Sequence, residues 1–170
     1  MRAILLVFLS AAFLSASGEL SNRRAPGFSL PDPNYDHFYD LQDYRGKVVL
    51  IDIMSTNCPH CLLLATTLEN LKQKYGAKIQ IISVVLPPDN ADSVKKFVAT
   101  NKITSPVVCD MGQMTISYFN AKPGQGHVEV PHLFLIDKQG MIKNDWDYND
   151  NTRPVFEGPG LITEVDKLLK

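Results

Sequence analysis

The 170-residue chain predicts an α/β fold, with a central mixed sheet flanked by helices, an antiparallel closing hairpin and an N-terminal extension. Three observations carry this. Val48–Met54 reads V-V-L-I-D-I-M, apolar almost throughout, as a strand covered on both faces requires. Strand-like and helix-like segments alternate in the order β-α-β-α-β-α-β-β-α, which is the pattern of strands joined by crossover helices. Finally, residues 132–136 and 141–146 flank the tight turn Asp137-Lys138-Gln139-Gly140, a hairpin signature.

The first residues read as a leader. Arg2 gives a short basic start, residues 3–13 are apolar except for Ser10, and small residues follow through Ser17. This is the layout of a secretory signal peptide over residues 1–17, leaving one domain at 18–170. The apolar run is short for a bilayer span, so a retained anchor is the alternative. The expected product is exported, periplasmic or otherwise extracytoplasmic, without stable membrane insertion after cleavage. Removing Arg2 with the leader leaves 16 basic and 18 acidic residues and no long run of one sign, so a nucleic-acid role has no electrostatic footprint.

Residues 21–39 are rich in Pro, Asn and Asp, with a short strand expected at 28–30 and a turn at Pro31-Asp32-Pro33-Asn34. Gly46 breaks the chain before the central strand. Pro59 suits a first helical turn, where its missing N–H costs nothing. Leu64, Leu68, Leu71 and Tyr75 then form one helical stripe, ended by Gly76. Residues 79–86 are a second β-branched run closed by Pro87-Pro88. A helix is expected at Ala91–Asn101, with Val94, Phe97 and Val98 on one face. A short strand at 106–109 is followed by a helix through Phe119, with Asp110 and Gln113 as its cap. Residues 122–126 are loop. Leu161, Ile162, Val165, Leu168 and Leu169 make a terminal amphipathic helix.

The chemistry centres on Cys58-Pro59-His60-Cys61, placed where the central strand runs into a helix. Unpaired N–H groups and the helix dipole at such a start favour a thiolate. Cys58 is therefore the exposed nucleophile, and Cys61, one turn deeper, the shielded resolving thiol. Two cysteines on one turn can cycle between dithiol and disulfide. A protonated His60 between them favours the Cys58 thiolate, hence the reduced form, and makes the disulfide more oxidising. The competing readings are a permanent structural disulfide or half of a zinc site. Zinc needs about four ligands, and with no second C-x-x-C only Cys109, His37, His127 and His132 could complete it.

These residues resemble the thioredoxin superfamily, and most closely its exported TlpA/ResA-like branch. The stretch Asp43-Tyr44-Arg45-Gly46-Lys47-Val48-Val49-Leu50-Ile51 before Cys58-Pro59-His60-Cys61 is similar to that branch's approach to its active site. Val130-Pro131, followed by Leu133-Phe134-Leu135-Ile136-Asp137-Lys138-Gln139-Gly140, is similar to its proline strand and closing hairpin. The resemblance implies a thioredoxin-like fold and a thiol–disulfide oxidoreductase acting on Cys-containing exported proteins, with a redox partner protein. The redox-active Cys58–Cys61 disulfide is then the redox group, and no other cofactor or metal is implied. Pro131 corresponds to the family's cis-proline; X-Pro is the one bond type where cis is cheap. Val130 would pair with an extended substrate strand. Asp52 corresponds to the buried acid of thioredoxins, with a raised pKa, taking the proton from Cys61.

The chain departs from the family pattern at three places. Asn57 stands where Trp usually precedes the first Cys, Leu64 stands where the ResA-like branch often carries Glu, and the Pro59-His60 centre resembles the oxidant DsbA. Asn57, Pro59 and His60 are therefore the candidates for tuning the pair. Cys109 is expected as a buried small hydrophobe at a strand end, and Trp146 as packing. His132, next to Pro131, is placed near the active-site surface, tuning Cys58, touching substrate or merely exposed. Two other functions compete on the same fold. One is a thiol peroxidase of the peroxiredoxin kind, though no Pro lies upstream in the strand. The other is a Cu(I) metallochaperone, whose soft ion suits thiolates.

Overall fold

The computed structural model describes residues 18–122 and 128–170. The leader expected at 1–17, most of the 122–126 loop and His127 lie outside the described residues. In chain order the elements are β1 (Arg23–Arg24), β2 (Ser29–Pro31), β3 (Phe38–Asp40), a 3-10 turn at Leu41–Tyr44, β4 (Val48–Met54) and α1 (Pro59–Tyr75). There follow β5 (Ile79–Val85), α2 (Ala91–Asn101), β6 (Val107–Cys109), α3 (Gln113–Phe119), β7 (His132–Ile136), β8 (Met141–Asp147), α4 (Arg153–Phe156) and α5 (Pro159–Leu169). Among the described residues no helix is long and apolar enough to cross a membrane.

One mixed sheet of six strands runs β1-β8-β7-β4-β5-β6. β4 lies at its centre, parallel to β5 and antiparallel to β7. β5 and β6 are also parallel, whereas β7 and β8 form the antiparallel hairpin. β2 and β3 pair separately. All seven residues of β4 are buried, because both faces are covered. Val48 and Leu50 pack with Leu64, Leu68 and Leu71 of α1 and with Leu161 and Val165 of α5. Val49, Ile51 and Ile53 point the other way, toward Met114 and Tyr118 of α3. A third cluster at the end of the sheet joins Met54, Cys61 and Cys109 to Val94 and Phe97 of α2.

The N-terminal extension is more than a polar lead-in. Phe28 and Leu30, 3% and 2% exposed, close the α3 side of the sheet together with Ala25 and Leu41. Arg23 donates to the carbonyls of Leu20, Ser117 and Tyr118, and the Tyr118 hydroxyl donates to the Pro26 carbonyl at 2.9 Å. The expected cap of α3 is also different in detail. Asp110 accepts from the N–H groups of Met114 and Thr115 at 3.0 and 3.3 Å, but Gly112, at φ 91°, occupies the cap position itself and Gln113 begins the helix.

Asp52 is the one polar interruption of β4. It faces α1, fully buried. Its Oδ2 accepts from the Ser83 hydroxyl of β5 at 3.2 Å, while its Oδ1 has no hydrogen-bond partner among the described residues. Burial pushes the carboxyl up to about 7, against a small opposing effect of the Ser83 hydrogen bond. The folded protein therefore holds this proton more tightly than the unfolded chain does. The stability linked to it is present below about pH 4 and is lost as pH rises through about 7. A shift of about three units corresponds to about 4 kcal/mol. Asp52→Asn, neutral throughout, is expected to equal wild type near pH 4 and to exceed it by about 2–4 kcal/mol at pH 8. Urea unfolding of the reduced proteins at several pH values measures the difference.

Candidate active site

Cys58 is the N-cap of α1, and Pro59 is its first residue. The extended backbone of Cys58, at φ −91° and ψ 118°, lets its side chain fold back over the helix start. There its sulfur accepts from the Cys61 N–H at 3.2 Å, as a serine hydroxyl does at an ordinary cap. One turn on, Cys61 is fully buried. Burial, with the Cys58 hydrogen bond adding to it, pushes its thiol far up, and the Asp52 carboxylate contributes in the same direction. Both cysteines are free thiols, so this is the dithiol form. The asymmetry expected from the sequence is present: a half-buried outer sulfur and an enclosed inner one that needs a proton acceptor before it can react.

The Val130–Pro131 peptide is cis, and the carbonyl of Val130 lies 3.8 Å from the Cys58 sulfur. Asn57, Cys58, Leu86, Pro87, Pro88 and Val130 line a cleft of about 450 Å³. Of the positions expected to form the site, Asp52, Asn57, Cys58, Pro59, His60, Cys61, Val130 and Pro131 gather at this end of the sheet. Leu64, in the place of the branch's frequent Glu, is fully buried among apolar neighbours. The charge of Asp52, in β4, contributes to raising the Cys61 thiol.

One expectation about a histidine changes. His132 is 8% exposed, enclosed by Phe119 and Phe134 at ring distances of 4.9 and 4.6 Å. Its Nε2 lies 3.3 Å from Asp145 Oδ2, a close electrostatic contact without good hydrogen-bond alignment. It supports the Pro131 strand from within rather than presenting a group at the surface. His60 is exposed, but not free. Its ring stacks on Tyr148 at 4.1 Å with an interplanar angle of 21°. Cys109 and Trp146 are buried as expected, and His37 packs edge-on to Tyr39.

The sequence reading missed Tyr148 and Asp89. Asp89 follows Pro87-Pro88 at the C-terminal end of β5. Its carboxylate accepts from the Thr56 N–H at 2.9 Å, from the Thr56 hydroxyl, and from the Ser93 hydroxyl at 2.8 Å. Burial raises its pKa, but these hydrogen bonds outweigh burial and hold the carboxyl below its usual range. It thereby ties the loop before Cys58 to the turn that lines the cleft. A signal was available: sites in sheets of this kind gather beyond the carboxyl ends of the parallel strands, where Asp89 stands. Among the described residues no group of three or more His, Cys, Asp or Glu is arranged to hold a metal ion.

Comparison with known proteins gives the same answer as the geometry. The AhpC/TSA family matches residues 22–144. The thiol-disulfide oxidoreductase ResA of Geobacillus kaustophilus is 32% identical over 152 residues, 83% of this chain and 82% of the relative. The thioredoxin-like protein YneN of Bacillus subtilis is 25% identical over 129 residues, 75% of this chain and 71% of the relative. Among solved structures, the thioredoxin domain of a thiol-disulfide oxidoreductase from Bacteroides vulgatus superposes with a TM-score of 0.68 at 19% identity, covering 88% of this chain and 98% of that one. A thiol:disulfide interchange protein from Chlorobium tepidum does so at 0.67 and 16% identity, covering 87% and 97%. A thioredoxin-like sheet, a dithiol capping a helix and close similarity to ResA along most of its length make this chain a member of the AhpC/TSA family, a TlpA/ResA-like thiol–disulfide oxidoreductase of the thioredoxin superfamily.

Proposed function

We propose that Cys58 and Cys61 exchange disulfides with Cys-containing exported proteins, and that Asp52 carries the proton of the inner thiol. The observation behind this is the placement of Cys61 and Asp52. A thiol that burial makes reluctant to ionise is within electrostatic reach of Asp52, a buried carboxyl that titrates at about 7 and has one oxygen without a hydrogen-bond partner among the described residues. Cys58, as thiolate, attacks a substrate disulfide. One substrate sulfur leaves as thiolate, and a mixed disulfide to Cys58 forms. Cys61 passes its proton to the Asp52 carboxylate and attacks the Cys58 sulfur. The second substrate sulfur leaves, and the Cys58–Cys61 disulfide remains. Two electrons have passed to the substrate, and a redox partner protein with a dithiol restores the pair. The reverse sequence oxidises a substrate dithiol.

Val130 and Pro131 are assigned to substrate docking. The Val130 carbonyl beside Cys58 is an acceptor for the N–H of an extended peptide, and the cleft walls are largely apolar. Asn57, Pro59 and His60 surround the outer sulfur and are assigned to tuning it. The disulfide itself serves as the redox group. Export, with residues 1–17 as a removed leader, follows from the short basic start and apolar run of the sequence. The arginines with defined contacts, Arg23, Arg45 and Arg153, are engaged by Tyr118, Gln139 and Asp150 respectively. None of these contacts is at Cys58, where a peroxidase would place a cation.

Cysteine variants test the assignment. Cys58→Ala is expected to abolish reduction of insulin by dithiothreitol-coupled turnover. Cys61→Ala is expected to retain a single attack and to accumulate a mixed disulfide, identified by mass spectrometry of the tryptic peptide containing Cys58. Turnover by Cys58→Ala at the wild-type rate, or trapping through Cys109, would sink the proposal.

A further inference from the structure

His60 belongs to the C-x-x-C turn, yet its ring is fixed by a residue far along the chain. β8 ends at Asp147, which pairs in register with His132, the residue after Pro131. Tyr148 is thus delivered to the active-site end of the sheet. There its ring lies at 4.1 Å and 21° to the His60 imidazole. The opposite contact of Tyr148 is edge-on to Phe156, at 5.3 Å and 82°, and Phe156 is fully buried. The loop beyond is held by side chains. Thr152 Oγ1 donates to the Asp147 carbonyl at 2.6 Å, the Asn149 N–H donates to Thr152 Oγ1 at 2.9 Å, and the Asn151 N–H donates to Asn149 Oδ1 at 2.9 Å. Tyr148 is therefore a rigid platform tied to the core, and the exposed imidazole rests on it.

We propose that Tyr148 is a positioning residue for the redox pair, setting the dithiol–disulfide equilibrium of Cys58 and Cys61 by holding the His60 ring at the start of α1. An exposed histidine with free rotamers averages its electrostatic effect over many orientations. One pinned against an aromatic face keeps its effect at the helix start, two residues from the sulfur that caps it. Reduction of the disulfide takes up two electrons and one proton, giving the Cys61 thiol and the Cys58 thiolate. Tyr148 therefore stabilises the product of reduction and makes the disulfide more oxidising. The inference rests on the reading that Cys58 and Cys61 cycle.

The test measures the equilibrium of the pair with a glutathione series for wild type, Tyr148→Leu, Tyr148→Phe, His60→Ala and the double variant His60→Ala/Tyr148→Leu. Tyr148→Leu is expected to shift the equilibrium toward the disulfide by about threefold to tenfold, the range of an aromatic stacking contact. Tyr148→Phe is expected to restore the wild-type value. In the His60→Ala background, Tyr148→Leu is expected to change nothing further. An unshifted equilibrium in Tyr148→Leu, or an equal shift with and without His60, would overturn the inference. Should the leucine variant not fold, NMR of the unsubstituted protein decides. The His60 ring protons are expected upfield by the Tyr148 ring current in the reduced form, and unshifted resonances in both redox states would refute it. A pair that never exchanges with glutathione would instead refute the proposed function itself.

Discussion

A carboxyl group in the middle of a seven-residue apolar strand is the constraint around which this protein is built. Asp52 could be accommodated at a polar edge, but β4 is the central strand, paired on both sides and covered on both faces. Ser83 supplies one hydrogen bond and nothing supplies the rest. Leaving such a group partly unsatisfied costs stability, and an isosteric neutral residue would remove most of that cost. The proposed role of Asp52 relates it to Cys61, whose thiol burial holds in its protonated form and whose ionisation the Asp52 charge opposes. The Asp52 carboxylate raises the energy of the Cys61 thiolate. In the proposed relay the carboxylate takes the proton as the inner thiol reacts, so that the two groups are not ionised together.

The rest of the site is arranged around the outer sulfur. Capping α1 with Cys58 turns a structural need, an acceptor for the first free N–H groups, into a chemical one. Three separate chain segments then converge on it. Asp89 anchors the loop before it through Thr56, the Val130 carbonyl reaches to 3.8 Å from its sulfur, and the His60 ring is held from outside by Tyr148. Each segment is fixed by a different part of the fold: the turn after β5, the strand β7 backed by His132 and Asp145, and the loop after β8. Dithiol chemistry thus depends on the whole carboxyl end of the sheet, not on the four-residue motif alone.

Most of the central architecture was legible in the sequence, for identifiable reasons. β4 and β5 are largely apolar, β-branched runs, α1 and α5 carry apolar stripes at helical spacing, and Pro59, Gly76 and Gly140 mark turns or ends that only a few residue types tolerate. What escaped was structure without periodicity. β1 and β3, of two and three residues, and α4, of four, are too short to show a pattern, and their existence is decided by tertiary contact. The role of Phe28 and Leu30 in closing one face was hidden by the polar residues around them. The site divides the same way. Cys58 and Cys61 announce themselves by residue type and spacing, and Asp52 and Pro131 by resemblance to the thioredoxin pattern, whereas Tyr148 and Asp89 are ordinary loop residues until the fold brings them to this end of the sheet. His132 was misplaced because alternation along β7 was not carried to its first residue, whose ring turns inward to Phe119, Phe134 and Asp145.

The central claim is that Asp52 accepts the Cys61 proton as the mixed disulfide is resolved. It is tested most directly by following, in a stopped-flow experiment, the decay of a preformed mixed disulfide between Cys58 and a peptide thiol from pH 5 to pH 9, in wild type and in Asp52→Asn. The predicted wild-type rate rises with pH and levels above about 7, where Asp52 is ionised. In Asp52→Asn the step near pH 7 disappears, and the rate at pH 8 falls by about a hundredfold, the lower end of what a positioned general base contributes. An unchanged rate and an unchanged pH profile in Asp52→Asn would contradict the account.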